Sequence, residues 1–407
     1  MTAHGGRLRH GTAAFRRATV ALFAAGASTF GLLYCVQPIM PEFSRYFGQP
    51  AASSALTLSA SSGVMAVAML FAGTVSDSLG RKPVMYASLW SSALLVLATA
   101  LAPDWTTLIA LRAVLGLSLS GLPAVAMTYL GEEVHPGSIG LGMGLFISGN
   151  ALGGMGGRLL ASVLTEYFGW RVGVAAMGAI GCAAAWVFAR TLPDSRHFVP
   201  RPPALGESLR RYAAVFRDPG LPWLFAEGFV LLGSFVTVYN YIGYRLLAPP
   251  YSLSQSAVGS VFAVYLVGTF SSTWIGHLAG RLGRRRVLWS MFAIMAVGLG
   301  LTLLAALWAV VGGIAVLTFG FFGGHSIASS WVGRRAGAAT AQASALYLFA
   351  YYLGASIAGS VGGLFYAAHG WAGVCAFVGA VVAAGLLVAL RLARLAPPPG
   401  EREPLLP

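Results

Sequence analysis

The amino-acid sequence predicts an all-α membrane protein with twelve transmembrane helices, and three observations support this fold class. Only 9% of the 407 residues are charged and 57% are hydrophobic, whereas about 25% of residues are charged in an ordinary soluble domain. Twelve stretches are apolar over about 20 residues, the length of a helix that crosses a bilayer. The basic residues fall in short clusters between these stretches. A soluble fold, a disordered chain and a disulfide-rich secreted domain are therefore excluded.

The predicted spans form two sets of six, separated by one longer connection. They lie near 19–40, 54–75, 83–102, 106–130, 138–164, 171–190, 221–246, 255–277, 287–307, 309–330, 341–365 and 372–392. The connection starts with a proline-rich stretch and continues as a helix in which Leu209 and Phe216 share a face beside Arg210 and Arg211. That pattern is typical of a segment lying on an anionic membrane surface. We expect three parts, namely an N-terminal six-helix bundle over 1–190, a cytoplasmic linker over 191–220 and a C-terminal six-helix bundle over 221–407.

The basic residues predict the orientation in the membrane. With both termini in the cytoplasm, 21 of the 26 basic residues lie in inner segments, and only Arg45, Arg171 and Arg245 lie in outer segments or at outer span edges. This bias follows the positive-inside rule, and it explains the net charge of +14 better than nucleic-acid binding does. The sole lysine, Lys82, precedes a proline, and neither an HExxH nor a GxSxG motif occurs. We therefore expect no ATP hydrolysis, no cofactor and no metal site.

The two halves share an internal repeat. The loop after span 2 and the loop after span 8 have the same glycine and arginine spacing at an offset of 203 residues, from 276 minus 73. The matching residues are Gly73, Asp77, Gly80, Arg81 and Lys82 in the first copy, and Gly276, Gly280, Gly283, Arg284 and Arg285 in the second. Duplicated halves of equal orientation imply a pseudo-twofold axis along the membrane normal, with the solute site between the halves.

These residues resemble a known family. The stretch GTVSDSLGRKP at 73–83 is similar to the loop signature of the major facilitator superfamily (MFS). Longer stretches resemble the acriflavine-sensitivity (YnfM-like) branch of bacterial inner-membrane transporters, over about residues 30–392: YCVQPIMPEF, MTYLGEEVHPG, GLFISGNALGGMGGR, FAEGF, YNYIGYRL and GHSIASSWVG. The resemblance implies the MFS fold and a multi-pass transporter of the bacterial inner membrane that works by alternating access. It further implies a functional monomer in the lipid bilayer, with a small-molecule substrate and H⁺ as partners and no nucleic acid.

The first loop copy is predicted to act as an inner latch. Asp77 can cap a neighbouring helix N-terminus, which the resemblance identifies as that of span 11. Arg81 has a candidate partner in Glu132 or Glu133 at the inner end of span 4. Such ties would hold the inner face closed while the carrier opens outward. Because Gly280 stands where Asp77 does, only the first latch is expected to be complete. The alternative is that these charges only set the topology.

Two arginines lie within predicted spans, where a charge costs about 2.5–3.5 kcal/mol on insertion scales. Arg112 in span 4 and Arg158 in span 5 are each roughly 9 Å from an outer span end, and Tyr34 and Gln37 of span 1 come near the same level. They could form a cationic cluster for an anionic substrate or a carboxylate. Alternatively, each arginine packs against helix ends or reaches outward. The resemblance adds that span-4 arginines often help proton coupling.

Two titratable residues are candidate proton carriers. Glu227 lies near the inner third of span 7, and His325 lies at a comparable level in span 10. The resemblance implies that spans 1, 4, 7 and 10 line the central cavity. A buried carboxyl group resists ionisation and imidazole titrates near neutral pH, so we predict Glu227 as the proton carrier and His325 as the second candidate. The alternatives are an inner-surface carboxylate beside the linker arginines and a core histidine bonded to a backbone carbonyl.

Uncharged side chains supply further substrate-binding candidates, namely Asn150, Asn240, Tyr347 and Tyr351. Phe319, Phe321 and Phe322 cluster in span 10, and such aromatics either pack the core or line a cavity for amphiphilic molecules.

The function predicted is proton-coupled efflux (antiport) of a small organic solute, with the direction implied by the resemblance. The glycine stripe at Gly149, Gly153 and Gly157 resembles a span-5 motif of drug–proton antiporters. The sequence departs from that motif at two positions, because Gly154 stands where the motif has a proline and Arg158 stands where it has its terminal glycine. The alternative is a proton symporter or exchanger for an organic anion. An intramembrane enzyme would need a nucleophile and base in one place, and a channel would need no latch, so both are disfavoured.

Overall fold

The structure, a computed structural model, describes residues 6–200 and 205–395, and these residues are almost entirely helical. The α-helices are α1 Ala13–Tyr34, α2 Met40–Phe47, α3 Ala51–Ser54, α4 Leu56–Leu79, α5 Arg81–Ala100, α6 Trp105–Leu119, α7 Pro123–Glu133, α8 Pro136–Phe168, α9 Trp170–Thr191, α10 Leu205–Val215, α11 Leu221–Leu247, α12 Gln255–Ser260, α13 Tyr265–Leu282, α14 Arg284–Leu301, α15 Leu307–Ala336 and α16 Thr340–Arg394. Short 3₁₀ turns at Val261–Val264 and Gly337–Ala339 join α12 to α13 and α15 to α16.

Nine helical segments within the described residues are long and apolar enough to cross a membrane. One of them, α16, is two helices joined at a kink, where His369 has φ −138° and Gly370 has φ +57°. Helices α1 and α14 have the length of a span too, with 22 and 18 residues, but carry arginines near their N-termini. Counting α16 as two and including α1 and α14 gives twelve spans in the order predicted.

Several spans have other bounds than predicted, and proline explains one of these differences. The ninth span, for example, ends at Leu301 instead of near residue 307. The first ends at Tyr34 instead of near residue 40, and a turn follows. The fourth is broken between α6 and α7, because Pro123 has no N–H to continue the helical ladder. Ser88 of α5 compensates at this break by donating its hydroxyl to the Ser118 carbonyl at 2.6 Å.

The two loop copies adopt the same backbone conformation. Gly80 precedes α5 with φ 100° and ψ 151°, and Gly283 precedes α14 with φ 91° and ψ 134°. A side chain would be strained at this positive φ, so glycine allows the tight turn in both halves.

The described residues group into two compact units, and the boundary falls inside α4. The first unit comprises Met1–Ile39 and Val67–Leu205, and the second comprises Met40–Ala66 and Gly206–Pro407. The predicted bundle limits at residues 190 and 221 stay a prediction. Pro202 and Pro203, in the proline-rich stretch of the predicted linker, lie outside the described residues.

The first unit is built on a close contact between α1 and α8. A Cβ added to Gly153 would lie 2.0 Å from the Ala27 carbonyl oxygen, and one added to Gly149 would lie 2.4 Å from that of Phe23. The predicted glycine stripe therefore brings two backbones together, as small residues do between membrane helices.

The second unit is built on α11, which packs against α16. A Cβ on Gly354 of α16 would lie 2.1 Å from the Phe229 carbonyl oxygen of α11. Residues 40–66 belong to this unit as well: Ser356 of α16 donates to the Ser59 carbonyl at 2.8 Å, and the hydroxyls of Ser44 and Tyr244 are 2.7 Å apart. The start of α4 is thus held against α16, and α2 is held against the C-terminal end of α11.

Candidate functional site

The structure brings Tyr34, Gln37 and Arg158 together in the first unit. The Arg158 guanidinium is buried, and its Nε donates to Gln37 Oε1 at 2.8 Å. Its Nη1 donates to the Gly154 carbonyl at 2.8 Å, one turn back in α8. The guanidinium carbon lies 4.0 Å from the centre of the Tyr34 ring, within cation–π range. A buried positive charge is therefore held by neutral groups in these contacts.

Arg112 lies beside this cluster and contacts the end of α1. It is 0% exposed, and it donates to the carbonyls of Leu32 at 3.1 Å and Leu33 at 2.6 Å. Carbonyls in the last turn of a helix lack helical partners and carry the negative end of the helix dipole. These contacts match the helix-end alternative raised for Arg112, and they place a cation where α1 stops.

The second unit brings together Glu227 of α11, His325 of α15 and Tyr347 of α16. The Glu227 side chain is 0% exposed, and neither carboxyl oxygen has a hydrogen-bond partner among the described residues. His325 Nδ1 lies 2.9 Å from Tyr347 Oη, a hydrogen bond whose direction depends on the imidazole tautomer. Gly228, next to Glu227, packs against the Tyr347 ring, which a Cβ at that position would approach to 2.8 Å.

Aromatic rings extend this cluster along α11, α15 and α16. The His325 ring is centred 4.6 Å from that of Tyr351, and Phe321 stacks on Phe235 at 3.9 Å. Sequence reasoning singled out Tyr347, Tyr351 and the span-10 phenylalanines but missed Phe235 and its neighbours Tyr239 and Tyr265. Phe235 and Tyr239 lie one helical turn apart, but this spacing alone does not distinguish a ring cluster from ordinary packing residues.

The two candidate asparagines lie between packed helices. Asn150 of α8 packs against α1, since a Cβ on Gly26 would come within 2.2 Å of its Oδ1. Asn240 of α11 is buried next to Gly359 of α16. Within each unit these amides lie at helix–helix contacts.

The first loop copy forms a network of ion pairs around Arg81. Its Nη1 lies 2.6 Å from Asp77 Oδ1, and its Nη2 lies 2.8 Å from Glu132 Oε1. A second bond from Nε to Glu132 Oε2 at 3.1 Å makes the latter pair bidentate. Arg81 is only 6% exposed, so solvent screens these pairs less than it would on an open surface.

The two acidic candidates of span 4 have different partners. Glu132 binds Arg81, whereas Glu133 accepts from the backbone N–H of His197 at 2.8 Å and lies 2.9 Å from its Nδ1. Lys82 contacts Asp194 at 2.6 Å, and this hydrogen bond holds the pKa of Asp194 below its usual value. Sequence reasoning missed Asp194 and His197, which tie the start of the linker to the first unit.

The second loop copy has different chemistry. Arg284 Nε donates to Ser330 Oγ at 3.3 Å, and Arg285 lies over the Trp331 ring at 6.0 Å. Gly276 packs near Ser326 Oγ, and Gly280 has open space at its Cβ position. Among the described residues, no group of three His, Cys, Asp or Glu side chains could hold a metal ion.

Comparison with known proteins identifies the family. The model of the Major Facilitator Superfamily matches residues 22–251 and 230–406. The chain is 48% identical to the inner membrane transport protein YnfM of Escherichia coli K12, over 95% of this chain and 93% of that protein. It is 45% identical to the uncharacterized MFS-type transporter YybF of Bacillus subtilis 168, over 97% and 98%.

A solved structure supports the fold. The peptide transporter POT in complex with sulfate superposes with a TM-score of 0.76 at 14% identity, covering 96% of this chain and 95% of that chain. The predicted twelve-helix MFS fold is thereby confirmed, as is the resemblance to YnfM. Since these relatives are transporters, the enzyme alternative is set aside. The chain belongs to the Major Facilitator Superfamily and is a multi-pass membrane transporter of small solutes.

Proposed function

We propose that the protein couples proton movement to the export of a small organic solute by alternating access, with Glu227 as the proton-carrying group. The observation that carries this proposal is the Glu227 carboxyl group, fully buried in α11 with no hydrogen-bond partner for either oxygen among the described residues. A carboxylate with no partner is costly to bury, whereas the protonated acid is much less so. The group must therefore bind a proton before it is enclosed and can release it when water reaches it.

The neighbouring rings suit an organic solute. The His325 ring lies against the rings of Tyr351 and Phe321. The His325–Tyr347 hydrogen bond adds a polar edge, and the Tyr347 ring packs against Gly228, next to Glu227. Largely apolar surfaces with a few polar groups are typical of small-molecule sites. A solute that occupies this surface would compete with, or follow, the proton on Glu227, which is the linkage that a coupled carrier needs.

The energy available is sufficient for export. A proton that moves down about 100 mV supplies about 2.3 kcal/mol, enough for a roughly fiftyfold solute gradient per proton. The resemblance of the sequence to the acriflavine-sensitivity branch supports the outward direction.

The first prediction is that Glu227→Gln abolishes pH-driven solute flux. Glutamine keeps the shape and polarity of the side chain but cannot carry a proton, so solute exchange without a pH gradient should survive. Flux is measured in proteoliposomes with and without an imposed gradient. Glu166→Gln, at an exposed position of α8, is the matched control and should behave like the wild type. Full retention of pH-driven flux in Glu227→Gln would refute the assignment.

A second candidate function is symport or exchange of an organic anion, favoured by the buried guanidinium groups of Arg112 and Arg158. Everted vesicles that contain a pH-sensitive dye separate the two. Addition of an antiport substrate collapses the inside-acid gradient, whereas a substrate of proton symport does not. Under the anion alternative, Arg158→Gln would weaken substrate binding while Glu227→Gln would not.

A further inference from the structure

One groove of the first unit lies where α1 and α8 both begin. It has a volume of about 390 Å³, and its lining includes His10, just before α1, Arg16 in the first turn of α1, and Leu141 and Leu145, one turn apart in α8. We call it the basic groove. Because Leu141 is 46% exposed, the groove opens on the surface of the unit, where a cation and apolar side chains lie together.

The positive charge at the basic groove has no acidic counterpart in the segments that form it. Residues 1–41 and 134–165 contain neither Asp nor Glu. Arg16 is exposed and forms no ion pair with a described residue. The carboxylate just before α8, that of Glu133, accepts from the backbone N–H of His197 at 2.8 Å and lies 2.9 Å from its Nδ1. The N-terminus of α1 adds a partial positive charge, so this groove favours an anion.

A second groove, which we call the apolar groove, lies further along the same two helices. It has a volume of about 350 Å³, and its lining includes Ala24 of α1, Leu152 and Gly156 of α8, and side chains of α9. Leu152 and Gly156 come eleven residues after Leu141 and Leu145, respectively. Since eleven residues are about three helical turns, the two grooves lie on the same face of α8.

The distance between the grooves matches the thickness of one bilayer leaflet. Ala24 and Ala27, which both line the apolar groove, come eight and eleven residues after Arg16 in α1. At 1.5 Å per residue they lie about 12 to 17 Å along the helix from Arg16. Half of the hydrocarbon core of a bilayer measures about 15 Å. An acyl chain whose headgroup is at Arg16 therefore reaches the apolar groove.

We propose that an anionic phospholipid binds along the contact between α1 and α8, with its phosphodiester group in the basic groove and an acyl chain in the apolar groove. A free anion would occupy the basic groove alone, and it would leave the exposed side chains of Leu141 and Leu152 uncovered. Two grooves in line on one helix face, cationic at one end and apolar at the other, fit a molecule that has both parts. Because the lipid touches both helices, its binding stabilises their contact.

The first test concerns the headgroup and uses the delipidated full chain in detergent. Phosphatidylglycerol or phosphatidylcholine with the same acyl chains is titrated, and bound lipid is counted by native mass spectrometry. One arginine near an anionic headgroup contributes about fivefold to binding, so Arg16→Gln should weaken phosphatidylglycerol binding by about that factor. Phosphatidylcholine binding should be weaker in the wild type and unchanged in the variant. Arg17→Gln, at the adjacent exposed arginine that does not line the groove, is the matched control and should bind like the wild type.

The second test concerns the acyl chain. A Cβ at Gly156 meets nothing within 4 Å, so Gly156→Leu fills the apolar groove without displacing α1. It should weaken binding of long-chain phosphatidylglycerol about tenfold, the loss expected when roughly two methylene groups lose their contacts. Gly140→Leu, at an open position of α8 that lines neither groove, is the control. A phosphatidylglycerol with acyl chains half as long reaches only about 7 Å from Arg16, so Gly156→Leu should bind it like the wild type.

Four outcomes would overturn the proposal. The first is equal binding of phosphatidylglycerol and phosphatidylcholine by the wild type. The second is an equal effect of Arg16→Gln and Arg17→Gln, which would indicate diffuse surface charge. The third is an equal loss of short-chain and long-chain lipid in Gly156→Leu, which would indicate altered helix packing. The fourth is displacement of phosphatidylglycerol by an equal concentration of inorganic phosphate, which would identify a free anion site.

The question is decided even if Gly156→Leu does not fold, as judged by size-exclusion chromatography. The wild type should then bind long-chain phosphatidylglycerol more tightly than the short-chain form, because only the long chain reaches the apolar groove. Equal affinities for the two lipids would rule out the acyl-chain site, and the two arginine variants test the headgroup site independently.

Discussion

Single residues decide how closely the helices of the first unit approach each other. At Gly153 a Cβ would overlap the Ala27 carbonyl oxygen of α1, whereas Gly156 on the same helix has open space at its Cβ position. Both glycines lie within α8, so helix propensity is equal and only the packing differs.

We predict that Gly153→Ala destabilises the protein by about 1–3 kcal/mol or more, because the added methyl group forces α1 and α8 apart. Gly156→Ala is the control and should be neutral or stabilise by up to about 1 kcal/mol, since alanine favours a helix over glycine. Thermal unfolding of the purified variants in detergent measures both. Equal stability of the two variants would show that the stripe does not set the packing.

The structure also decides which of two adjacent glutamates pairs with Arg81, a choice that the sequence left open. Glu132 and Glu133 were both candidates for Arg81, and side chains of consecutive helical residues point about 100° apart, so only one can face it. Glu132 forms an ion pair with Arg81, and Glu133 accepts a hydrogen bond from the backbone N–H of His197. The distances from Arg81 to Glu132 and to Asp77 depend on how α5, α7 and the end of α4 pack.

Between elements, the Arg81 part of the predicted inner latch is a set of ion pairs that hold α5 to α7 and to the end of α4, while the predicted cap of Asp77 on span 11 stays a prediction. We predict that Arg81→Gln lowers the transport rate at least about tenfold, because a bidentate, largely buried pair is lost and one carboxylate of α7 is left without its cation. Solute flux in proteoliposomes measures this. Arg190→Gln, at the C-terminal end of α9, is the control for a basic residue that takes no part in the Arg81 ion pairs. Wild-type flux in Arg81→Gln or Asp77→Asn would rule out the latch.

The contact between residues 40–66 and α16 can be tested with a disulfide between cysteines placed at Gly63 and Ser356. A Cβ built on Gly63 lies 3.3 Å from the Ser356 Cβ, close to the separation of about 3.5–4.5 Å in disulfides. In a background without Cys35, Cys182 and Cys375, Gly63→Cys with Ser356→Cys should crosslink on oxidation and stop transport. The reason is that the predicted spans 2 and 11 belong to different six-helix bundles, which are expected to separate at this contact during alternating access. A reductant should restore flux, and each single cysteine variant should be insensitive to oxidation. Undiminished flux after complete crosslinking would show that this contact does not open.

The part of the aromatic cluster that lies on α11 could not be predicted from the sequence of that helix. Helix α11 is buried nearly all round, with 78% of its most apolar stretch inside the protein, so its apolar residues show no preferred face. Without a face, periodicity cannot tell Phe235 and Tyr239 from packing residues. Their contacts with Phe321 and Tyr265 depend on helices that are distant in sequence.

For the whole molecule, the arginine distribution predicts that both termini are cytoplasmic. A green fluorescent protein fused after residue 395 should fluoresce and an alkaline phosphatase fused there should be inactive. A phosphatase inserted in the loop at residues 101–104, between α5 and α6, should be active because this loop is expected outside. The reverse pattern of activities would contradict the orientation.

The sequence by itself determined the number and order of spans, the expected orientation, the two glycine turns and the family. These features follow from local rules, since in a bilayer each span must satisfy its own backbone hydrogen bonds and most charges must stay in the loops. Only the tertiary structure decided which side chains meet. Arg81 contacts a glutamate 51 positions away, and Glu227 shares its surroundings with Tyr347 and His325, about 100 residues further on. Such meetings depend on how helices pack in three dimensions, and spacing along the chain does not contain that information.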